Sequence, residues 1–207
     1  MKEEGIQSDD RPLPRSQHVA VSLNDGSRVF VFGGHHTPKC RLNDTWIYQV
    51  PQKTWLRIGD EAENTENNAS TIGAPDPRAN MGSVFYEGKI YIQGGHGGLG
   101  FARRAYNDIF MFDPEELKWT KIETVSEKIP EGRGGHSLFA SDGKLYIYGG
   151  WNQEQHYNSM WQFTLSNGEW FEIDLVFGMP RWNHTSVLVE AIPTWKFFIF
   201  GGESNEY

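Results

Sequence analysis

Apolar residues gather in four short runs that each close on a pair of glycines. They read RVFVFGG at 28–34, KIYIQGG at 89–95, KLYIYGG at 144–150 and KFFIFGG at 196–202. Each run is a basic residue, four strand-forming positions and then the glycines. The glycine pairs are 61, 55 and 52 residues apart. Such runs are too short for helices and too uniformly apolar for half-exposed strands, so they predict strands buried on both faces. A hairpin signal precedes three of them: Asn24-Asp25-Gly26, Glu87-Gly88 and Asp142-Gly143. The fourth run is preceded by a longer turn over 190–194 that contains Pro193. Turn-forming residues at 51–53, 114–116 and 166–168 predict the connection between a third and a fourth strand in each repeat.

Two further landmarks keep step with the glycines. After each of the first three pairs comes an aromatic residue and, nine positions on, a tryptophan: Trp46 and Trp55, Phe110 and Trp119, Trp161 and Trp170. Asn43-Asp44, Asn107-Asp108 or Asn158-Ser159 stands just ahead of that aromatic. Before each pair lies an arginine (Arg15, Arg78, Arg133, Arg181), with His18, Met81, His136 or His184 three positions later. A repeat of about 50 residues with glycine and aromatic markers is the sequence form of a blade array. The glycines are expected to supply positive φ and close chain approach. The tryptophans are expected to pack between blades, each burying on the order of 200 Å². The arginines are expected to pair with a carboxylate or a carbonyl.

These residues resemble the kelch-repeat family over about residues 12–202. The resemblance implies an all-β, kelch-type β-propeller of four-stranded antiparallel blades around a central channel. The expected layout is an N-terminal extension at 1–11, blade 1 at 12–59, an acidic insertion at 60–75, blade 2 at 76–125, blade 3 at 130–175 and half of blade 4 at 178–207. About three and a half blades do not close a ring, so residues beyond this chain are expected to complete it. Asp60, Glu61, Glu63 and Glu66 make the insertion acidic; it reads as a solvated loop or, failing that, as a docking element.

Charge and composition narrow the function. A net charge of −8 argues against a nucleic-acid surface, which needs a basic stripe. The apolar runs fall far short of the ~20 residues of a membrane helix, and the charged start at Met1-Lys2-Glu3-Glu4 carries no signal-peptide pattern. The single cysteine, Cys40, permits no internal disulfide, and the expected location is cytoplasmic, with cytoskeletal association. The recurrence of His18, His136 and His184 at one repeat position reads as structural hydrogen bonding, not as a ligand set, so neither metal nor other cofactor is expected.

Counting strand reversals puts the segment after each glycine pair on the same face as the segment before each arginine. From blade 1 this face carries His35, His36, Lys39 and Arg41. Blade 2 gives His96, Phe101, Arg103 and Arg104, and blade 3 gives Trp151, Gln155, His156 and Tyr157. Exposed aromatics and arginines are the residue types that anchor protein partners. The residues after each arginine (Ser16 and Gln17, Ala79 and Asn80, Gly134 and Gly135, Trp182 and Asn183) run toward the channel mouth, where they either read a peptide or satisfy strand ends. The resemblance implies a non-enzymatic scaffold or adaptor that binds a protein through this face, within a cytoskeletal or ciliary assembly. Alternatives within the family are a regulatory domain of a larger enzyme such as a phosphatase, or a substrate receptor of a ubiquitin ligase. A sugar oxidase or mutarotase is a further alternative, but no copper-ligand set can be assigned around Cys40.

Overall fold

The computed structural model describes residues 11–23, 26–59, 73–175, 178–191 and 194–204. The Asn24-Asp25 turn, most of the acidic insertion, the turn at Pro193 and all but Arg11 of the N-terminal extension lie outside the described residues. Blade 1 is β1 (Val19–Ser22), β2 (Arg28–Thr37), β3 (Cys40–Gln49) and β4 (Thr54–Ile58). A two-residue strand, β5 (Arg78–Ala79), opens blade 2, followed by β6 (Gly82–Tyr86), β7 (Lys89–Gln93), the short β8 (His96–Gly97) and β9 (Arg104–Ala105), then β10 (Ile109–Asp113) and β11 (Lys118–Ile122). Blade 3 is β12 (Ser137–Ser141), β13 (Lys144–Tyr148), β14 (Met160–Thr164) and β15 (Glu169–Ile173). The fourth sheet holds β16 (Thr185–Ala191) and β17 (Thr194–Phe200).

All pairings within these sheets are antiparallel between neighbours, giving three four-stranded sheets, one of two strands and a small one of three, β5-β8-β9. The tight turns match the hairpin chemistry. Glu87 and Gly88 have φ of 47° and 77°, and Asp142 and Gly143 have 52° and 71°. Positive φ at both central residues suits the twist of the flanking strands. The first strands of successive sheets approach one another, β1 to β6, β6 to β12 and β12 to β16, so they gather at the axis and the fourth strands lie outermost.

The core lies between the sheets. Trp119, on the outermost strand of blade 2, packs on Phe30 and Phe32 of blade 1 and on Phe112, with ring centroids 4.9–5.8 Å apart. Its Nε1 donates to Thr45 Oγ1 at 3.0 Å, tying the same two blades. Tyr91 and Ile109 of blade 2 share a second cluster with Leu145, Ile147, Trp161, Phe163 and Trp170 of blade 3. Trp46, Trp119, Trp161 and Trp170 are buried and Trp55 is half-buried. The ring is not closed, and its open side shows what a neighbour does. Phe198 and Phe200 occupy the positions that Phe30 and Phe32 hold in blade 1, yet they are 53% and 83% exposed where those are fully buried.

The glycine pairs are an inter-blade joint. Their first members, Gly33, Gly94, Gly149 and Gly201, have φ between 63° and 71°. A Cβ on Gly33, Gly94 or Gly149 would stand 2.5–2.8 Å from the carbonyl oxygen of the next blade's arginine (Arg78, Arg133 and Arg181). On Gly201 it would meet no atom of the described residues within 4 Å. The arginines act within their own blades. Arg15 and Arg78 make bidentate pairs with Asp44 (2.5 and 2.7 Å) and Asp108 (2.5 and 3.0 Å) and donate to the carbonyls of Gly33 and Gly94. Arg133 and Arg181 donate to the carbonyls of Gly149 and Gly201. Arg133, 1% exposed, meets the Ser159 hydroxyl where Arg15 and Arg78 meet a carboxylate. Burial draws its pKa down to about 10.

The repeat histidines follow expectation in one case and depart from it in another. His184 Nε2 lies 2.6 Å from Ser137 Oγ across the blade 3–4 joint. Neither ring nitrogen of buried His136 has a partner among the described residues. That ring fits by shape: a Cβ on Gly82 of blade 2 would lie 2.6 Å from its Nε2. Burial and then Arg133 push its pKa well below the usual histidine value, so it packs as a neutral ring.

Candidate binding face

The connection after each glycine pair is more structured than a loop. In blade 1 the strands continue past the glycines into a hairpin arm, with His35 opposite Arg41 and Thr37 opposite Cys40. Register shifts at Phe32/Gly34 and His35/Thr37 re-aim the arm. His35 also exchanges backbone hydrogen bonds with Ser16, at 2.8 and 2.9 Å. His35, His36 and Arg41 are therefore strand residues and Lys39 sits in the turn, which corrects the expectation of a plain loop. In blade 2, β5, β8 and β9 form a small three-stranded sheet and residues Gly100–Ala102 form one turn of 3-10 helix. In blade 3, Trp151 and Gly134 exchange backbone bonds at 3.0 Å, and Asn152 Oδ1 caps the turn by accepting from the amides of Glu154 and Gln155.

The twelve residues singled out from the sequence divide into supports and exposed groups. His96 and Tyr157 are buried, so they hold the face and do not present it. His96 Nε2 lies 2.9 Å from the Trp151 carbonyl, linking blades 2 and 3. The Tyr157 hydroxyl donates to Glu131 at 2.5 Å, and the Arg133 guanidinium lies 4.0 Å from its ring centroid. His35 is half-buried, and exposed His36 places Nδ1 2.8 Å from the Pro14 carbonyl oxygen. Exposed Gln155 donates to Glu131 at 3.1 Å. Burial, then Arg41, lowers the pKa of His35, and burial is the leading cause for His96.

Two groupings result. Lys39, Arg41 and Arg104 come together with Cys40, Asp76 and Tyr106 around a cavity of about 620 Å³ between the arms of blades 1 and 2. Arg41 donates through Nη1 to the Gly98 carbonyl and so joins the two arms. Arg104 pairs with Asp76 at 2.7 Å, both well exposed. Phe101 stands fully exposed on the 3-10 turn, beside exposed Arg103. Away from this, Trp151, His156 and Trp182 stack, with centroids 4.8 Å apart for the two tryptophans and 6.2–6.3 Å to the histidine. Asp76 and Tyr106 were not among the residues singled out. The available signal was position: Leu13, Asp76 and Glu131 each stand two before a repeat arginine and give it a carbonyl for Nε.

The channel residues satisfy strand ends through their backbone. Gln17, Asn80, Gly135 and Asn183 all have φ between 52° and 66°. The amides of Asn80, Gly135 and Asn183 donate to the carbonyls of Gln17, Asn80 and Gly135, one blade earlier in each case, at 2.8, 2.9 and 2.8 Å. Asn80 Nδ2 also donates to Asn183 Oδ1 at 2.9 Å. Among the described residues no three His, Cys, Asp or Glu side chains are grouped as a metal ion needs, and no helix is long and apolar enough to cross a membrane.

Residues 4–202 match the family model described as the KLHDC2/KLHL20/DRC7 Kelch-repeats domain. The chain is 30% identical over 207 residues to the dynein alpha chain of the flagellar outer arm from Chlamydomonas reinhardtii, covering 94% of this chain and 4% of that protein. It is 33% identical to kelch repeat-containing protein 2 from Saccharomyces cerevisiae, covering 93% of this chain and 22% of the relative. With kelch domain-containing protein 3 from Bos taurus the identity is 27%, over 79% of this chain and 41% of the relative. The chain thus spans between 4% and 41% of the length of these relatives. The solved structure of YjhT superimposes with a TM-score of 0.67 at 16% identity, covering 96% of this chain and 68% of that one, a likeness of fold. Together with the four glycine joints and the inter-blade tryptophans, these matches mean that the chain belongs to the kelch-repeat family of β-propellers.

Proposed function

We propose that this chain is a non-enzymatic protein-interaction domain that holds its partner on the face built by the connections after the glycine pairs. The observation that carries the reading is the gathering, at one end of the blades, of exposed Phe101, the exposed cations Lys39, Arg103 and Arg104, and the half-buried aromatic group of Trp151, His156 and Trp182. Large aromatics and arginines standing free of a core are the side chains that supply most binding energy at protein interfaces. The flagellar outer-arm dynein relative supports a ciliary or cytoskeletal assembly as the setting.

Affinity capture with the tagged chain, compared with an Arg103→Ala/Trp151→Ala variant, tests the face. The expected result is loss of the specifically recovered proteins in the variant; equal recovery refutes it. Co-sedimentation of the tagged chain with axonemes from ciliated cells tests the setting, and its absence from that fraction refutes it.

A further inference from the structure

The cavity between the arms of blades 1 and 2 has a chemistry of its own. Four cations, Lys39, Arg41, Arg103 and Arg104, cluster on these arms in a chain whose net charge is −8. Asp76 neutralises Arg104; Lys39, Arg41 and Arg103 have no carboxylate partner among the described residues. Arg41 meets a backbone carbonyl through Nη1, and its Nε is buried without an acceptor among the described residues. Burial, and after it the nearby Arg103 charge, lower the Arg41 pKa. Holding like charges on two facing arms costs stability unless an anion completes the site. A concave wall strengthens the field such charges project.

The rim decides between anions. Leu99 on the wall and Phe101 beside it are exposed apolar side chains. A nucleic-acid backbone would need a continuous basic stripe and would be repelled by the acidic remainder of the molecule. An acidic peptide with an apolar side chain next to its carboxylates matches both the cations and the rim. We infer that the cavity bounded by Lys39, Arg41, Arg104 and Leu99 is a docking pocket for an acidic segment of a protein partner, its carboxylates meeting Lys39, Arg41 and Arg103 and its apolar residue lying on Leu99 and Phe101. This inference rests on the reading of the face as a partner-binding surface and gives that partner its chemistry.

The probe is a short fluorescein-labelled peptide carrying a cluster of glutamates beside a leucine, compared with the same peptide in glutamine form and with a single-stranded oligonucleotide. Anisotropy titrations of the whole chain are expected to show the glutamate peptide binding at least ~10-fold tighter than the glutamine peptide, with the difference shrinking as salt is raised. Lys39→Glu, at an exposed turn residue, and Arg103→Glu are each expected to weaken the glutamate peptide several-fold while leaving the melting temperature unchanged. Cys40, the single cysteine of the chain, lines the cavity, so bound peptide is expected to slow its alkylation. Equal binding of the two peptides, indifference to Lys39→Glu, or preference for the oligonucleotide overturns the inference. If the peptides fail while Trp151→Ala still abolishes partner capture, the pocket falls and the face stands; if Trp151→Ala is also silent, both fall.

Discussion

Arg133 offers a direct test of how these blades hold a buried cation. Arg15 and Arg78 each face a bidentate aspartate, whereas Arg133 meets Ser159 Oγ at 3.0 Å, the Gly149 carbonyl at 3.1 Å and the Tyr157 ring. Its pKa, about 10, lies well below the usual arginine range because of burial, a displacement equivalent to roughly 3 kcal/mol of disfavoured charge. Ser159→Asp restores the carboxylate that the other two blades have. The new side chain takes the place of Asp108, which keeps 21% of its surface in water, so its own desolvation is partial. About half of the 3 kcal/mol is expected to return, a net gain of ~1–2 kcal/mol. For a chain of this size that raises the melting midpoint by about 2–8 °C. The gain should begin to shrink as pH falls below the ordinary aspartate pKa of about 3.9 and be lost only below the lower value that pairing with Arg133 gives the folded carboxyl. Thermal unfolding followed by circular dichroism at neutral and acid pH reads both effects. An unchanged or lower midpoint at neutral pH, with the β-sheet spectrum intact, would mean that the carbonyls and the Tyr157 ring already satisfy Arg133 in full.

Other expectations follow from the joints. Gly94→Ala and Gly201→Ala impose similar left-handed strain, about 1–2 kcal/mol, but only the first drives a Cβ to 2.5 Å from the Arg133 carbonyl oxygen. Chemical denaturation should separate them by roughly 2 kcal/mol, and equal losses would refute the joint. Trp119→Ala should cost about 3–5 kcal/mol, because its ring fills the space between blades 1 and 2; Phe171→Ala, at a side chain 66% exposed, should be nearly silent in the same assay. His184 has a folded pKa of about 4 against an ordinary 6.5, through burial and then Arg181. Between those values the unfolded chain binds a proton that the folded chain refuses, so stability should fall as pH drops from 6.5 towards 4. His184→Gln should flatten that slope in denaturant titrations, and an unaltered slope would contradict the assignment.

The framework was legible because each of its markers answers to a local constraint that recurs in every blade. Positive φ and a facing carbonyl admit only glycine at 33, 94 and 149; a buried guanidinium needs an acceptor at 44 or 108; a gap between sheets needs a tryptophan at 119 or 170. The face was less legible because its residues obey no shared constraint. The extension of β2 to Thr37 depends on cross-strand pairing with Cys40 and Arg41, which no residue pattern announces. Burial of Tyr157 and His96 depends on Glu131 and Trp151, neighbours from other segments. His136 departed for a related reason: one repeat position serves a hydrogen bond at 184 and ring packing on glycine at 136. Asp76 and Tyr106 escaped notice since their importance comes from facing Arg104 and Arg78 across the arm.

The ladder through Gln17, Asn80, Gly135 and Asn183 has a consequence for how such a molecule changes over evolution. Every rung is a main-chain bond from one blade to the one before it, and glutamine, asparagine and glycine all serve there in one backbone shape. At these rungs the link between neighbours is thus written in conformation, whatever the side chains between the sheets add. A blade can be duplicated, lost or exchanged and still find the same handhold on whatever precedes it. The side chains carried on the outer connections are then free to diverge from blade to blade, as Lys39, Phe101 and Trp151 have done.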